Sequence, residues 1–232
     1  MSLANRRIPA FFPLLAAALC AIAVSAQAAT LTINLRSGNA APGNPDPLIR
    51  RLDLATSCGV GYGSLFTAAD FAAADAGPSA VVLSFIHPAW TRSLPCDPLA
   101  QWIGVAADAT PLSALYAMDF VLPPDGCCYQ KAELEFCWMA DDGIGDALNP
   151  AGLYLNGSPI PVVAGGNFTA QTTDGGLNIL PLIKCGKNTL YIYNRDIGCA
   201  VSGVNFSARL ILDECITPAS VSSWGRVKAT YR

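Results

Sequence analysis

Charge is scarce in this chain of 232 residues. Only 13% of the residues are charged, and the formal net charge is −3. A soluble protein usually has about a quarter of its residues charged. The high apolar content with so little charge excludes a disordered chain. The chain also lacks the basic footprint that nucleic-acid-binding proteins carry, so no nucleic-acid partner is expected.

Histidine and long apolar runs are scarce too. The single histidine, His87, excludes a metal site built on two imidazoles. No apolar stretch of membrane-spanning length follows residue 28, so no transmembrane segment is expected in residues 29–232. The cysteines form no Cys-x-x-Cys pair, which argues against zinc binding and thioredoxin-like chemistry.

The first 28 residues have the parts of an export signal. Arg6 and Arg7 precede an apolar run from residue 8 to residue 24, and Ala26-Gln27-Ala28 has the small-x-small pattern of a cleavage site. We therefore predict a signal peptide over residues 1–28. The expected location is outside the cell or on its surface, and the periplasm is the alternative.

Eight cysteines follow residue 28, and an even number in an exported chain indicates a disulfide framework. They are Cys58, Cys96, Cys127, Cys128, Cys137, Cys185, Cys199 and Cys215. If Asn188–Asn194 and Asn205–Asp213 were neighbouring antiparallel strands, Cys185 and Cys215 would lie at the same end of the sheet. We therefore predict a Cys185–Cys215 pair, and the pairing of the other six cysteines stays open.

Short segments that alternate apolar and polar residues recur along the chain, as in half-buried strands. The clearest is residues 131–139, where Ala132, Leu134, Phe136 and Trp138 share one face. Only residues 67–76 favour a helix. Many short strands separated by Gly, Pro, Asn and Asp predict an all-β fold. We expect a single antiparallel β-sandwich domain over residues 29–215, supported by disulfides.

The order of several short motifs suggests a family. The motifs are Trp102-Ile103, Phe120-Val121-Leu122-Pro123, Ala140-Asp141-Asp142, Tyr154-Leu155-Asn156-Gly157 and Gly186-Lys187-Asn188-Thr189-Leu190. In this order they resemble the galactose-binding-domain-like jelly-roll sandwiches of secreted bacterial proteins, an architecture shared with many carbohydrate-binding modules. The resemblance implies a jelly roll that binds sugars through loop aromatics, with a structural calcium in some members.

Two sets of residues are candidates for a binding site. The aromatic residues Trp90, Trp102, Tyr62 and Tyr129 are candidates for stacking on a carbohydrate, because aromatic faces suit apolar sugar faces. The acidic, glycine-containing segment with Asp141, Asp142 and Asp146 is a candidate for calcium, which takes 6–8 oxygen ligands. The spacing of these carboxylates is not that of an EF-hand.

The leading interpretation is a secreted, non-catalytic binding or surface-structural module, whose partner is a carbohydrate or another component of the cell envelope. One alternative is a glycan-acting hydrolase that uses Glu133 and Glu135, which lie on the same face of one strand. Another is a purely structural assembly subunit. The basic tail over residues 216–232 is a candidate sorting signal for the bacterial cell surface.

Overall fold

The computed structural model describes residues 29–54, 61–123, 128–162 and 165–215. All of them belong to one compact unit, Ala28–Ile216. The predicted signal peptide, the basic tail, Cys58 and Cys127 lie outside the described residues. Eleven strands and one helix occur in the described ranges. They are β1 (Thr30–Arg36), β2 (Pro45–Asp53), α1 (Ala68–Ala76), β3 (Ser79–Val82), β4 (Ile103–Gly104), β5 (Ala114–Leu122), β6 (Tyr129–Ala140), β7 (Leu153–Leu155), β8 (Ser158–Pro159), β9 (Thr172–Asn178), β10 (Gly186–Asn194) and β11 (Val204–Glu214).

The strands form a single curled antiparallel sheet. Along the sheet the order is β8-β7-β10-β5-β2-β3-β4-β11-β6-β9, and β1 pairs with β11 beside β4. Every pairing between these strands is antiparallel. The prediction of a mostly β, antiparallel, disulfide-bonded fold is therefore confirmed.

The largest core lies inside the curl and follows the alternation of the sequence. On β6, Ala132, Leu134, Phe136 and Trp138 are all at most 2% exposed. They pack with the inward residues of β5, β10 and β11 in one cluster. Trp138 was expected on the inward face of its strand, and the structure confirms this position.

Two smaller apolar clusters cover parts of the outer face of the sheet. Helix α1 begins with a capping box between Thr67 and Asp70, which satisfies free N–H groups at its first turn. The helix places Phe71 and Ala74 against outward-facing residues of β5, β7 and β10. Elsewhere, the segment around Trp90 and Trp102 covers the end of β6 that carries Cys137 and Met139.

Two disulfides join described residues. Cys96 is bonded to Cys137, with their Cα atoms 6.8 Å apart, and Cys128 is bonded to Cys215, with a Cα separation of 5.3 Å. Cys185 and Cys199 are disulfide-bonded as well. Such cross-links are typical of proteins that fold in an oxidising compartment.

The predicted Cys185–Cys215 pair is wrong. It rested on a hairpin between the two last strands, but β10 pairs with β5 and β7, whereas β11 pairs with β1, β4 and β6. The connection after β10 crosses to another part of the curled sheet, and Cys215 is bonded to Cys128 instead. In the part of the chain that the structure describes, no helix is long and apolar enough to cross a membrane.

Candidate functional site

A polar groove of about 320 Å³ lies on the outer face of the sheet. Its floor is built by strand register, because residues directly opposite one another on adjacent strands share a face. Asn34 on β1 lies opposite Arg209 on β11, and Arg209 lies opposite Glu135 on β6. The same groove is lined by Cys96, Asp97, Phe136, Cys137, Thr173 and Ser207.

The wall of the groove is a loop held by the Cys96–Cys137 disulfide. This loop also presents Asp97, whose carboxylate is 3.2 Å from Arg36 Nε and accepts a hydrogen bond of 3.0 Å from Ser207 Oγ. Because one covalent bond and two polar contacts fix the loop against β1, β6 and β11, the shape of the groove is defined before any ligand binds.

Charges in the groove are balanced. Arg209 donates from Nε and Nη2 to the same oxygen of Glu135, at 2.8 Å and 2.6 Å. Asp97 is similarly compensated by Arg36. Each acid of the groove therefore has a guanidinium partner, Arg209 in the lining for Glu135 and the neighbouring Arg36 for Asp97, so neither carboxylate is left uncompensated to select a cation. The groove presents donors and acceptors in fixed positions instead.

Glu133 and Glu135, the alternative catalytic pair, have different surroundings. Only Glu135 lines the groove. Glu133 has an ion pair of 2.9 Å with Lys131 on the same strand. Each carboxylate thus has its own cation on an outer sheet face.

Trp90 and Trp102 do not lie at the surface. Their side chains are 4% and 1% exposed, and their rings stack with centroids 4.4 Å apart. Trp90 Nε1 donates to Asp141 Oδ1 at 3.1 Å, and Trp102 Nε1 donates to the carbonyl of Thr91. Stacking on a sugar needs an exposed ring face, and these two rings have none, because they form the core beneath the loop.

Tyr62 and Tyr129 are partly buried and lie in different places. Tyr62 stacks on Phe66 with centroids 4.8 Å apart, and its hydroxyl donates to Asp70 at 2.6 Å. That hydrogen bond and burial raise the pKa of the Tyr62 hydroxyl. Tyr129 packs against the main core beside Leu180 and Ile183. The structure therefore does not bring the four predicted aromatic residues together in one site.

The carboxylates of Asp141, Asp142 and Asp196 form an acidic cluster. Each offers an oxygen within 4.8 Å of those of the other two. Asp142 Oδ2 accepts hydrogen bonds of 2.7 Å from the backbone N–H groups of Ile197 and Gly198. Burial, reinforced by the charge of Asp142, raises the pKa of Asp141 to about 6. A bound cation would offset both the burial of the Asp141 charge and its repulsion by Asp142.

Asp146, the third predicted calcium ligand, is not in this cluster. Its Oδ1 accepts from the backbone N–H groups of Leu148 and Asn149, and its Oδ2 accepts from the hydroxyl of Tyr193 at 2.8 Å. Asp196 stands in its place. Sequence reasoning missed Asp196 because it follows β10, far from Asp141 along the chain. Calcium binding stays a prediction, and the carboxylates that lie close enough together to share an ion are those of Asp141, Asp142 and Asp196.

An apolar cleft of about 300 Å³ lies beside helix α1. Leu65 and Leu148, which are 66% and 45% exposed, lie at this cleft. Its deeper wall consists of Phe66, Phe71 and Tyr154, whose rings are in mutual contact. The cleft has no ionisable lining residue other than the tyrosine, so it offers packing but little polar chemistry.

No protein-family model matches this chain, and a search of curated proteins finds no match either. The resemblance to galactose-binding-like sandwiches therefore stays a prediction that rests on the residues that suggested it.

Proposed function

We propose that this protein is an exported, non-catalytic binding module that holds a neutral, hydroxyl-rich ligand, such as a glycan, in the polar groove. The observation that carries the proposal is the row formed by Asn34, Arg209 and Glu135. It combines an amide, a guanidinium and a carboxylate, the planar groups that can pair with adjacent hydroxyls of a sugar.

Unused hydrogen-bonding capacity supports this ligand class. Arg209 uses Nε and Nη2 on Glu135 Oε2, so its Nη1 and the other oxygen of Glu135 remain for a ligand. The side-chain amide of Asn34 makes no hydrogen bond to the rest of the described chain. A ligand with several hydroxyl groups could donate to the carboxylate and accept from the guanidinium and the amide at the same time.

Charge balance separates a neutral glycan from ionic ligands. A phosphorylated or carboxylated ligand would meet Asp97 and Glu135, and a polyamine would meet Arg209. In either case one ion pair of the groove would have to be broken, which leaves a charge uncompensated. A neutral hydroxyl-rich molecule can bind while both ion pairs stay intact.

The same residues support a binding role rather than hydrolysis. The groove holds Glu135 in contact with Arg209, and Glu133 lies outside its lining. The two carboxylates therefore do not face one another across a common ligand site. The architecture that we propose for the module is the jelly-roll sandwich suggested by the motif order, exported through its leader and delivered to the cell surface by the tail over residues 216–232.

The proposal is tested on a glycan array with the exported form of the protein. The wild type is expected to bind one class of neutral glycan and to release no product. Arg209→Ala and Asn34→Ala are each expected to weaken binding about tenfold, the effect of one lost polar contact of roughly 1.4 kcal/mol.

Glu133→Gln is the matched control, because Glu133 lies on the same strand and face as Glu135 but outside the groove lining. It should bind like the wild type. Absence of glycan binding by the wild type, or equal binding by the Arg209 variant, would overturn the proposal. Turnover that disappears in Glu135→Gln would establish the hydrolase alternative instead.

A further inference from the structure

Among the strands that the structure describes, one edge of the sheet has none of the usual protection. Natural proteins block free strand edges with prolines, charges, bulges or very short strands. Strand β8 has two residues and includes Pro159, and the edge strand β9 contains Asp174, Gly175 and Gly176. Strand β1 has seven residues, Thr30–Arg36, with no proline, glycine or bulge, and its only charged residue is the last one.

The register identifies which backbone groups of β1 are free. The N–H of Ser37 donates to the carbonyl of Phe206, and the N–H of Glu214 donates to the carbonyl of Ala29. Both bonds continue the register of β1 with β11. Because hydrogen-bonded pairs alternate in an antiparallel ladder, Leu31, Ile33 and Leu35 bond to β11.

The even-numbered residues Thr30, Thr32 and Asn34 therefore point their N–H and C=O groups away from β11. Within the described ranges, no strand pairs with this second edge of β1. The carbonyl of Arg36 differs, because it accepts a hydrogen bond of 2.9 Å from the side chain of Asn39. The free edge thus extends over the first five residues of the strand.

We propose that β1 pairs with β1 of a second copy of this chain, antiparallel and centred on Thr32, so that the two sheets become continuous. In this register Thr32 faces Thr32, and Thr30 faces Asn34 of the other copy. All the free N–H and C=O groups of these residues then find partners, since each facing pair of this kind exchanges two hydrogen bonds.

Side chains on both faces suit a second copy. Leu31 and Ile33 point inward and are only partly buried at the sheet edge, so pairing places Leu31 of one copy beside Ile33 of the other and buries more of both. On the outer face the facing side chains are threonine and asparagine, which carry no charge. The self-pairing therefore gains apolar contact without placing like charges opposite each other.

Pairing of this kind has a consequence that rests on the proposed function. Asn34 lies on the outer face of β1 and lines the polar groove. A two-fold axis at Thr32 leaves the outer faces of the two sheets on the same side. Both grooves would then open on one surface, and a repeating glycan could occupy them together, with the gain in avidity that two linked sites give.

The test measures the mass of the purified protein in solution by light scattering, from about 1 µM to about 1 mM. The wild type is expected to reach the dimer mass. Thr32→Pro should stay monomeric with an unchanged circular-dichroism spectrum, since the lost N–H points away from β11 and proline is tolerated at such an edge. Thr32→Val, which keeps the N–H, is the matched control and should dimerise.

A charge-swap experiment tests the register without proline. Thr32→Lys and Thr32→Glu should each be monomeric, because each would place like charges opposite one another at the two-fold axis. An equimolar mixture of the two should restore the dimer. A monomeric wild type over the whole concentration range, or a mixture that stays monomeric, would overturn the inference. Either result leaves the glycan proposal untouched, because the groove belongs to a single copy of the chain and a monomer can bind on the array.

Discussion

Two parts of the outer sheet face are covered by different kinds of structure, a helix and a cross-linked loop. Over β5, β7 and β10 the cover is helix α1, held by a capping box and by contacts among aromatic rings. Over β6 it is a loop that lies on a stacked Trp90–Trp102 pair and is fixed by the Cys96–Cys137 bond. The helix leaves an apolar cleft at its side, and the cross-linked loop leaves a polar groove.

The difference shows how a binding surface can be built on a sheet. A loop has no regular face of its own to pack, so tryptophans and a disulfide supply the rigidity that α1 has through its backbone hydrogen bonds. In return, the loop holds Asp97 above the sheet, where its carboxylate meets Ser207 and Arg36. We therefore expect damage to the loop to alter the groove and damage to the helix to spare it.

Loss of the Cys96–Cys137 bond has the largest expected effect. The double variant Cys96→Ser/Cys137→Ser opens a loop with a sequence separation of 41 residues. Loop-closure entropy predicts a loss of about 4 kcal/mol in the free energy of unfolding, measured by urea denaturation. Tryptophan fluorescence should also shift, as Trp90 and Trp102 become more accessible. Ser93→Ala in the same loop should change neither quantity, and an unchanged stability of the double variant would contradict the account.

Phe71→Ala is the corresponding change on the helix side. Phe71 is 8% exposed and contacts the rings of Phe66, Tyr154 and Tyr191. Removal of its side chain leaves a cavity and is expected to lower the free energy of unfolding by about 3–4 kcal/mol. Urea denaturation, followed by the near-ultraviolet circular dichroism of the tyrosines, measures this loss. Tryptophan fluorescence and glycan binding should remain those of the wild type. If either changes as much as in the cysteine variant, the two covers are not independent.

Asp141→Asn should stabilise the protein at neutral pH in the absence of calcium. The pKa of Asp141 is about 6 when folded against 3.8 for the free side chain, so the folded state binds protons more tightly. The cost of its charge is absent below pH 3.8 and complete above pH 6. We expect the variant to gain about 2–3 kcal/mol at pH 7 and little at pH 4. Asp108→Asn, where the Thr110 hydroxyl lowers the pKa of Asp108, should not show this gain.

Calcium addition has the smallest expected effect on stability. It also shows whether Asp196 or Asp146 binds the ion together with Asp141 and Asp142. If the acidic cluster holds the ion, calcium should raise the Tm of the wild type by about 2–4 °C, equivalent to roughly 1 kcal/mol. Asp196→Asn should lose this response and Asp146→Asn should keep it. The reverse pattern would favour the grouping expected from sequence, and no response in the wild type would remove calcium from the account.

The sequence predicts the strands in which apolar and polar residues alternate, and it fails where that pattern is absent. The inward residues of β6, the strand expected over Asn205–Asp213 that is β11, and the helix near residues 67–76 are found as expected. Strand β2 was missed because its two prolines and its run of charge hide the alternation, and β9 was missed because Asp174-Gly175-Gly176 is typical of a turn.

The candidate site was less predictable because its residues are distant in sequence. Asn34, Glu135 and Arg209 come together only through the pairing of three strands, and no local motif encodes that pairing. Trp90 and Trp102 could be picked out from the sequence as candidate binding residues, but the sequence alone does not show whether a ring is exposed or buried. Because β10 and β11 follow one another in the sequence, a hairpin between them was the simplest expectation. In the structure β10 pairs with β5 and β11 pairs with β6, so this hairpin does not form.

The most direct test of the account maps the ligand onto the protein. With the glycan class found on the array, nuclear magnetic resonance titration should shift the signals of Asn34, Glu135, Thr173 and Arg209 at the groove. The signals of Leu65, Leu148 and Tyr154 at the apolar cleft should stay in place. Saturable shifts confined to the apolar cleft, or to the surroundings of Tyr62 and Tyr129, would contradict the central claim that the polar groove is the binding site.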